Sequence, residues 1–406
     1  MKNKALNIFE CCTLNRDYLD GKSEFEVNST HKDCMIVNDQ ERFDLAIENF
    51  MSIKKVERYF SQVMAIITIR RVLLSCRKVD DSCIDKKANL FIEYFNEFEI
   101  RDHKVIKVFY GVNINDSDDP VTFENLTVYD LPKHDKHLEL LCEFDVKHKF
   151  NQTNEMIAIE CLVKAKDHYK ALELSNSAFN KFELLLAFLL NEQHKEFSVG
   201  ILRMNFSPYQ SAIISFEGGV MAGEEENNNF VANLDISTLE KYLPDDHKNI
   251  YESLLKVALS PVTVLDRKIS SAIEWVGESY MDTNKASSYI KAVIALEALL
   301  KLDEKGVITP SIMSGIAEQC AFLHGSITDE CIEVERKVKG IYAERSKIAH
   351  TGTSSVSITK LRSVRRFVSI TILKLFALKD ELALEKPEDF QLLFRKKKYQ
   401  SGGFGN

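Results

Sequence analysis

No uninterrupted apolar run in this 406-residue chain approaches the ~20 residues that a membrane-spanning helix needs, so no membrane span is expected. Ordered cysteine spacing is missing too. The nine cysteines stand at Cys11, Cys12, Cys34, Cys76, Cys83, Cys142, Cys161, Cys320 and Cys331, an odd number with no repeating framework. No signal-peptide pattern accompanies them, so they read as reduced thiols and a cytoplasmic location is expected. Three further absences remove common chemistries: there is no GxxxxGK[ST] phosphate loop, no paired-cysteine zinc signature and no GxSxG nucleophile elbow. No internal repeat is visible. Tryptophan occurs once, at Trp275, where packing inside a helical bundle is expected.

What is present points to a globular protein, with 45% hydrophobic and 28% charged residues. The length suggests two domains or three. A formal net charge of -8 argues against broad, non-specific coating of nucleic acid and leaves room for a local basic site. His134-x-x-His137 with Cys142 and His148, and His31-x-x-Cys34, hold metal-ligating residue types. They lack paired cysteines and fall across a turn and a strand pattern, so scattered surface histidines account for them better. No metal and no cofactor are expected.

The expected fold class is α+β, a mixed α/β N-terminal domain followed by an all-helical C-terminal bundle. Residues 43–74 show helical spacing, and residues 168–190 read as a helix dense in Leu and Ala. Strand-like runs fall at residues 104–112, 138–146, 156–164, 197–204 and 211–216. Gly218 to Asn229 reads as a flexible polar loop. Beyond Pro261 every segment has helical period: 264–280, 287–302, 311–324, 330–350 and 354–378, with Gly352 as a C-cap and Thr353, Ser354 or Ser355 as the next N-cap. Short links between amphipathic helices predict an antiparallel bundle. The expected domains are 1–240, 250–380 and a frayed basic tail at 381–406 containing Arg395-Lys396-Lys397-Lys398.

The run Glu344-Arg345-Ser346-Lys347-Ile348-Ala349-His350-Thr351-Gly352 carries the most chemistry. Cys331, Val334, Val338 and Ile341 form an apolar stripe whose next position is Arg345, before Ile348 resumes it. An arginine on a core-facing stripe must find an anion or several acceptors, since an unpaired buried charge costs several kcal/mol. His350 falls in the last turn, where the helix dipole favours a cation. An arginine and a histidine at one helix end form a minimal kit for handling a phosphodiester.

These residues, together with Ile290-Lys291-Ala292-Val293-Ile294-Ala295-Leu296-Glu297-Ala298-Leu299-Leu300 some fifty residues upstream, resemble an ApeA-like HEPN domain, the higher eukaryote and prokaryote nucleotide-binding fold. The family's mark is an arginine, four to six intervening residues and a histidine, and four intervene here. The "ALE-LL" helix, the "Y-x-x-RS" lead-in and the "H-x-G" exit strengthen the match over roughly residues 255–380. Ser346 departs from the Asn, Asp or His that follows the arginine in many HEPN motifs, and suits the ApeA-like subgroup. The resemblance implies a metal-independent ribonuclease, often a toxin or an antiphage effector active in abortive infection. It also implies a homodimer with two motifs facing each other across the interface. RNA, tRNA among the candidates, is the implied partner, with a phage-derived trigger or an antitoxin as a further one.

The residues suit that chemistry. RNA can be cut by its own 2′-hydroxyl attacking the adjacent phosphorus, with His350 taking or giving the proton and Arg345 bracing the phosphorane. DNA lacks that internal nucleophile. Each residue also has a structural reading. Arg345 and His350 could cap carbonyls at a helix end. Glu297 could fix the guanidinium of Arg345, or contact the ribose directly. Ser346 and Lys347 are supporting residues, Lys347 as an attractor for the RNA backbone or an ordinary surface lysine. Tyr342 could stack a base or half-bury in the bundle. On a continuous helix, residues five apart diverge by about 140°, so Arg345 and His350 of one chain cannot easily face one phosphate. A partner chain, or unwinding near His350, would resolve this. The alternative function is a non-catalytic nucleotide- or protein-binding regulator that dimerises through the bundle.

Overall fold

The computed structural model describes residues 1–19, 22, 29–78, 83–114, 119–130, 157–197, 199–201, 209–215, 219–225, 233–301, 312–351 and 355–400. The fold is mixed α+β with a small sheet region and a C-terminal helical region. Two compact units form, one from residues 1–106 and 160–177, the other from 107–159 and 178–406.

The first unit contains α1 (Lys2–Phe9), β1 (Cys12–Leu14), β2 (Met35–Val37), α2 (Gln40–Met51), α3 (Lys54–Tyr59), α4 (Gln62–Ser75) and α5 (Ile84–Glu97). Strands β1 and β2 pair antiparallel, Cys12 opposite Val37. Phenylalanines hold the helices together edge to face, Phe50 on Phe91 at 5.0 Å and Phe60 on Phe95 at 4.9 Å. The helical stretch expected over 43–74 is three helices rather than one. Its last break is made by Ser61, whose hydroxyl accepts from the Met64 amide at 3.0 Å while donating to Asp167 at 2.8 Å.

Next come β3 (Arg101–Val108), β4 (Val112–Asn113), β5 (Val121–Phe123), β6 (Leu126–Asp130), β7 (Ile157–Ala165) and α6 (His168–Leu190). They are followed by β8 (Tyr209–Ser215), β9 (Gly219–Glu225) and β10 (Leu234–Asp235). A four-stranded sheet has the order β3–β7–β6–β5. The expected strand 104–112 is β3 followed by the short β4, which pairs in parallel with β10. The run at 138–146 lies outside the described residues. Of the strand expected at 197–204, the described part shows an isolated bridge from Gly200 to Tyr110. The loop expected at Gly218–Asn229 is corrected: its described part is β9, antiparallel to β8 with Tyr209 opposite Glu225. Pairing with a partner strand overrides the glycine- and acid-rich composition of that segment.

The helical region comprises α7 (Tyr251–Leu259), α8 (Val264–Met281), α9 (Lys285–Leu300), α10 (Ile312–His324), α11 (Thr328–Thr351), α12 (Ile358–Leu382) and α13 (Pro387–Gln400). Each start has a local cause where a cap is present. Thr263 and Asp266 make a reciprocal capping box for α8, and Asn284 accepts from the amides of Ala286 and Ser287 at α9. The N-cap of α12 is Ser357, accepting from the Lys360 amide at 3.2 Å, in place of the expected Thr353, Ser354 or Ser355. Buried Val356 immediately precedes it. The frayed tail expected at 381–406 is instead helical from Pro387 to Gln400, because Phe394 is buried. The compact units do not follow the expected division at 240–250. The Leu-rich second half of α6 packs onto α8 so closely that a Cβ at Gly277 would lie 2.3 Å from the Leu184 carbonyl oxygen. No helix among the described residues is long and apolar enough to cross a membrane.

Candidate functional site

Helix α11 is charged in the order its dipole favours, with Asp329 and Glu330 in the first turn and His350 in the last. Its buried line is Val338, Ile341 and Ile348, and it packs against α9 and α10. The Tyr289 hydroxyl on α9 donates to the Ile341 carbonyl at 3.3 Å, fixing the middle of α11. At the start of α12, Lys360 meets Glu344 at 2.9 Å.

Arg345 occupies the apolar line, as the spacing requires, but its side chain remains 39% exposed and that of Glu297 25% exposed. The guanidinium Nη2 lies 4.0 Å from Glu297 Oε1, an ion pair too long for a hydrogen bond. Arg345 Nε is buried and makes no hydrogen bond among the described residues. The pair is therefore weakly held, and the guanidinium keeps donors to offer. The Tyr342 hydroxyl is buried beside it, close to the Glu297 carboxylate. Burial first, and then the negative charge of Glu297, push its pKa up, so the phenol stays protonated.

Ser346, Lys347 and His350 are exposed. Helix α11 stays regular through Thr351, so no unwinding near His350 turns its ring towards Arg345. The two diverge by about 140° around the helix axis. One chain thus brings together Arg345, Glu297 and Tyr342, and leaves His350 apart from them.

The arginine with the deepest burial was not singled out from the sequence. Arg365 on α12 is fully enclosed. Its Nε donates to Ser279 Oγ at 3.1 Å, and Nη2 donates to Ser288 Oγ at 2.7 Å and to the Ser279 carbonyl. Nη1 pairs with Glu192 at 3.2 Å, and the guanidinium lies 4.6 Å from the Tyr280 ring centre. Its position between the buried Leu361 and Val368 on one helix face was the available signal. With four of its five N–H donors engaged and the side chain enclosed, it ties α12 to α8 and α9.

His324, at the end of α10, is a half-buried titratable group of the same region. It stacks on Phe367 at 4.8 Å, and its Nε2 lies 2.8 Å from Thr371 Oγ1. That hydroxyl donates to the Phe367 carbonyl, which leaves Nε2–H as the donor. Burial, then the charges of Lys374 and Lys337, lower its pKa to about 4.

Among the described residues no three His, Cys, Asp or Glu side chains gather as a metal site. His31 sits 3.9 Å from Asp33 and tilts over Tyr18, while Cys34 is buried. His134, His137, Cys142 and His148 lie outside the described residues. No known protein family, curated protein or solved structure matches the chain.

Proposed function

We propose that this chain is a metal-independent RNA endonuclease of the HEPN type, an antiphage or toxin effector working as a homodimer in the cytoplasm. One observation carries the reading. Arg345 is held loosely, 4.0 Å from Glu297 with its side chain 39% exposed, while His350 stands exposed near the end of the same unbroken helix. A guanidinium needed only for structure would be closed in by acceptors, as Arg365 is. In this reading Arg345 clamps the scissile phosphate with charge-assisted hydrogen bonds, and His350 moves a proton at the 2′-hydroxyl or at the leaving 5′-oxygen. The 2′-oxygen bonds to phosphorus as the P–O5′ bond breaks, giving a 2′,3′-cyclic phosphate and a 5′-hydroxyl. Because the two side chains diverge on one helix, the partner chain supplies the second of them. Glu297 orients Arg345, and Tyr342 lines the same cluster.

The test is cleavage of RNA by the full chain and by its Arg345→Ala and His350→Ala variants. Both variants are expected to lose cleavage while remaining folded, with wild-type activity undiminished by EDTA. Cleavage that requires Mg²⁺, acts on DNA or survives in His350→Ala overturns the reading. A net charge of -8 favours the second reading, a non-catalytic nucleotide- or protein-binding regulator that dimerises through the bundle. RNA left uncut by a protein that still dimerises would establish that one.

A further inference from the structure

Tyr342 and Arg345 stand three residues apart on α11, so their side chains leave the helix on the same side. Both meet Glu297 of α9. The Tyr342 hydroxyl is buried close to the carboxylate, and the Arg345 guanidinium stops 4.0 Å short of Oε1. That gap calls for a cause. An arginine and a carboxylate free to approach close into two parallel hydrogen bonds of about 2.7–2.9 Å. Arg345 Nε is buried and unbonded, so the fork has not closed from its other edge either.

Tyr342 supplies the cause. Its ring is half-buried, and the backbone beside it is fixed by Tyr289 of α9, which donates to the carbonyl of the preceding Ile341 at 3.3 Å. The hydroxyl is therefore held at the carboxylate. Burial, and then the charge of Glu297, keep the phenol protonated, so it is a donor across the physiological pH range. A carboxylate that already receives a hydroxyl proton pulls less on a second donor. Arg345 is left charged, half-exposed and with N–H groups to offer.

We propose that Tyr342 is a positioning residue whose hydroxyl occupies the Glu297 carboxylate and so keeps the Arg345 fork open for the scissile phosphate, an inference that rests on the ribonuclease reading. Tyr342→Phe keeps the ring and removes the competing donor. Glu297 then draws Arg345 into a closed pair, which an incoming phosphate has to break. A tyrosine that only stacked on a base would lose nothing in that substitution, because phenylalanine stacks as well.

The experiment uses the full chain carrying His350→Ala, so that RNA is bound and not consumed, and the fluorescence anisotropy of a labelled single-stranded RNA. Adding Tyr342→Phe is expected to weaken binding about three- to tenfold. In the Glu297→Gln background no charge remains to capture the guanidinium, and Tyr342→Phe is expected to change affinity by less than about twofold. Crystal structures of the free proteins give a second readout. In the Tyr342→Phe chain the separation of Arg345 and Glu297 is expected to close from 4.0 Å to below about 3.2 Å. RNA affinity unaltered by Tyr342→Phe overturns the proposal. So does a loss equally large in the Glu297→Gln background, which would mark a role in folding or in touching RNA directly, and so does a pair that stays open in the variant. An unmutated chain that cuts no RNA overturns the ribonuclease reading, a result distinct from a tyrosine that proves idle on an active enzyme.

Discussion

Arg365 and Arg345 both interrupt apolar stripes, and their surroundings separate them. Arg365 is enclosed and bonded to Ser279, Ser288 and Glu192, whereas Arg345 has one long contact with Glu297. Removing a buried, engaged cation leaves its acceptors stranded, and removing a half-exposed one leaves a carboxylate that water can reach. Arg365→Ala is therefore expected to cost about 2–4 kcal/mol of stability, and Arg345→Ala less than ~1 kcal/mol. Urea unfolding of the two variants decides this, and an equal or reversed order would refute the division of roles. In the sequence Arg345 stands out on its stripe because a histidine follows it. The same spacing pointed equally to Arg365, but no neighbouring motif drew notice to it. Burial depends on which helix packs opposite, which periodicity alone does not reveal.

At the scale of elements, helices were legible where an apolar stripe coincided with a cap. Helix α9 begins after Asn284 and α8 after Thr263, and both expected segments match within a few residues. The start of α12 was misplaced because Thr353, Ser354, Ser355 and Ser357 all suit an N-cap, and buried Val356 selects Ser357. Strand β9 was hidden because its glycines and glutamates argue for a loop until β8 is known to lie beside it. Packing between elements also creates a dependence on pH. His324 of α10 faces Phe367, Thr371 and Lys374 of α12 and Lys337 of α11, with the last two positive. Its pKa falls to about 4 in the folded chain, against about 6.5 when unfolded. The unfolded state then binds more protons between those values, so this contribution is complete above pH ~6.5 and disappears as pH falls through ~4. Its full size is ~3 kcal/mol. His324→Gln is expected to flatten the acid limb of stability, measured as urea midpoints at neutral and mildly acidic pH. Parallel curves for variant and parent would show that His324 does not couple the bundle to pH.

For the whole molecule, the continuous helix α11 carries the decisive constraint. Arg345 faces α9, and His350 is exposed on a helix that does not unwind before Thr351. The two groups are rigidly placed about 140° apart. A phosphate that touches both must lie between two chains, which a two-fold dimer provides with equivalent sites. This reading makes a prediction about mixtures. Arg345→Ala protein has its histidine, and His350→Ala protein has its arginine, while each alone is inactive. In a mixed dimer one site receives Arg345 from one protomer and His350 from its partner, and the other receives neither. Random exchange makes half of the dimers mixed, so cleavage is expected to return to roughly a quarter of the wild-type rate. If both groups acted within one protomer, no dimer in the mixture would hold an intact pair. Mixing the variants after dissociation and reassociation, with dimer formation confirmed by sedimentation, distinguishes the two. An inactive mixture of properly exchanged dimers would rule out a site shared between chains, and the arginine and histidine would then have to meet by melting the last turn of α11.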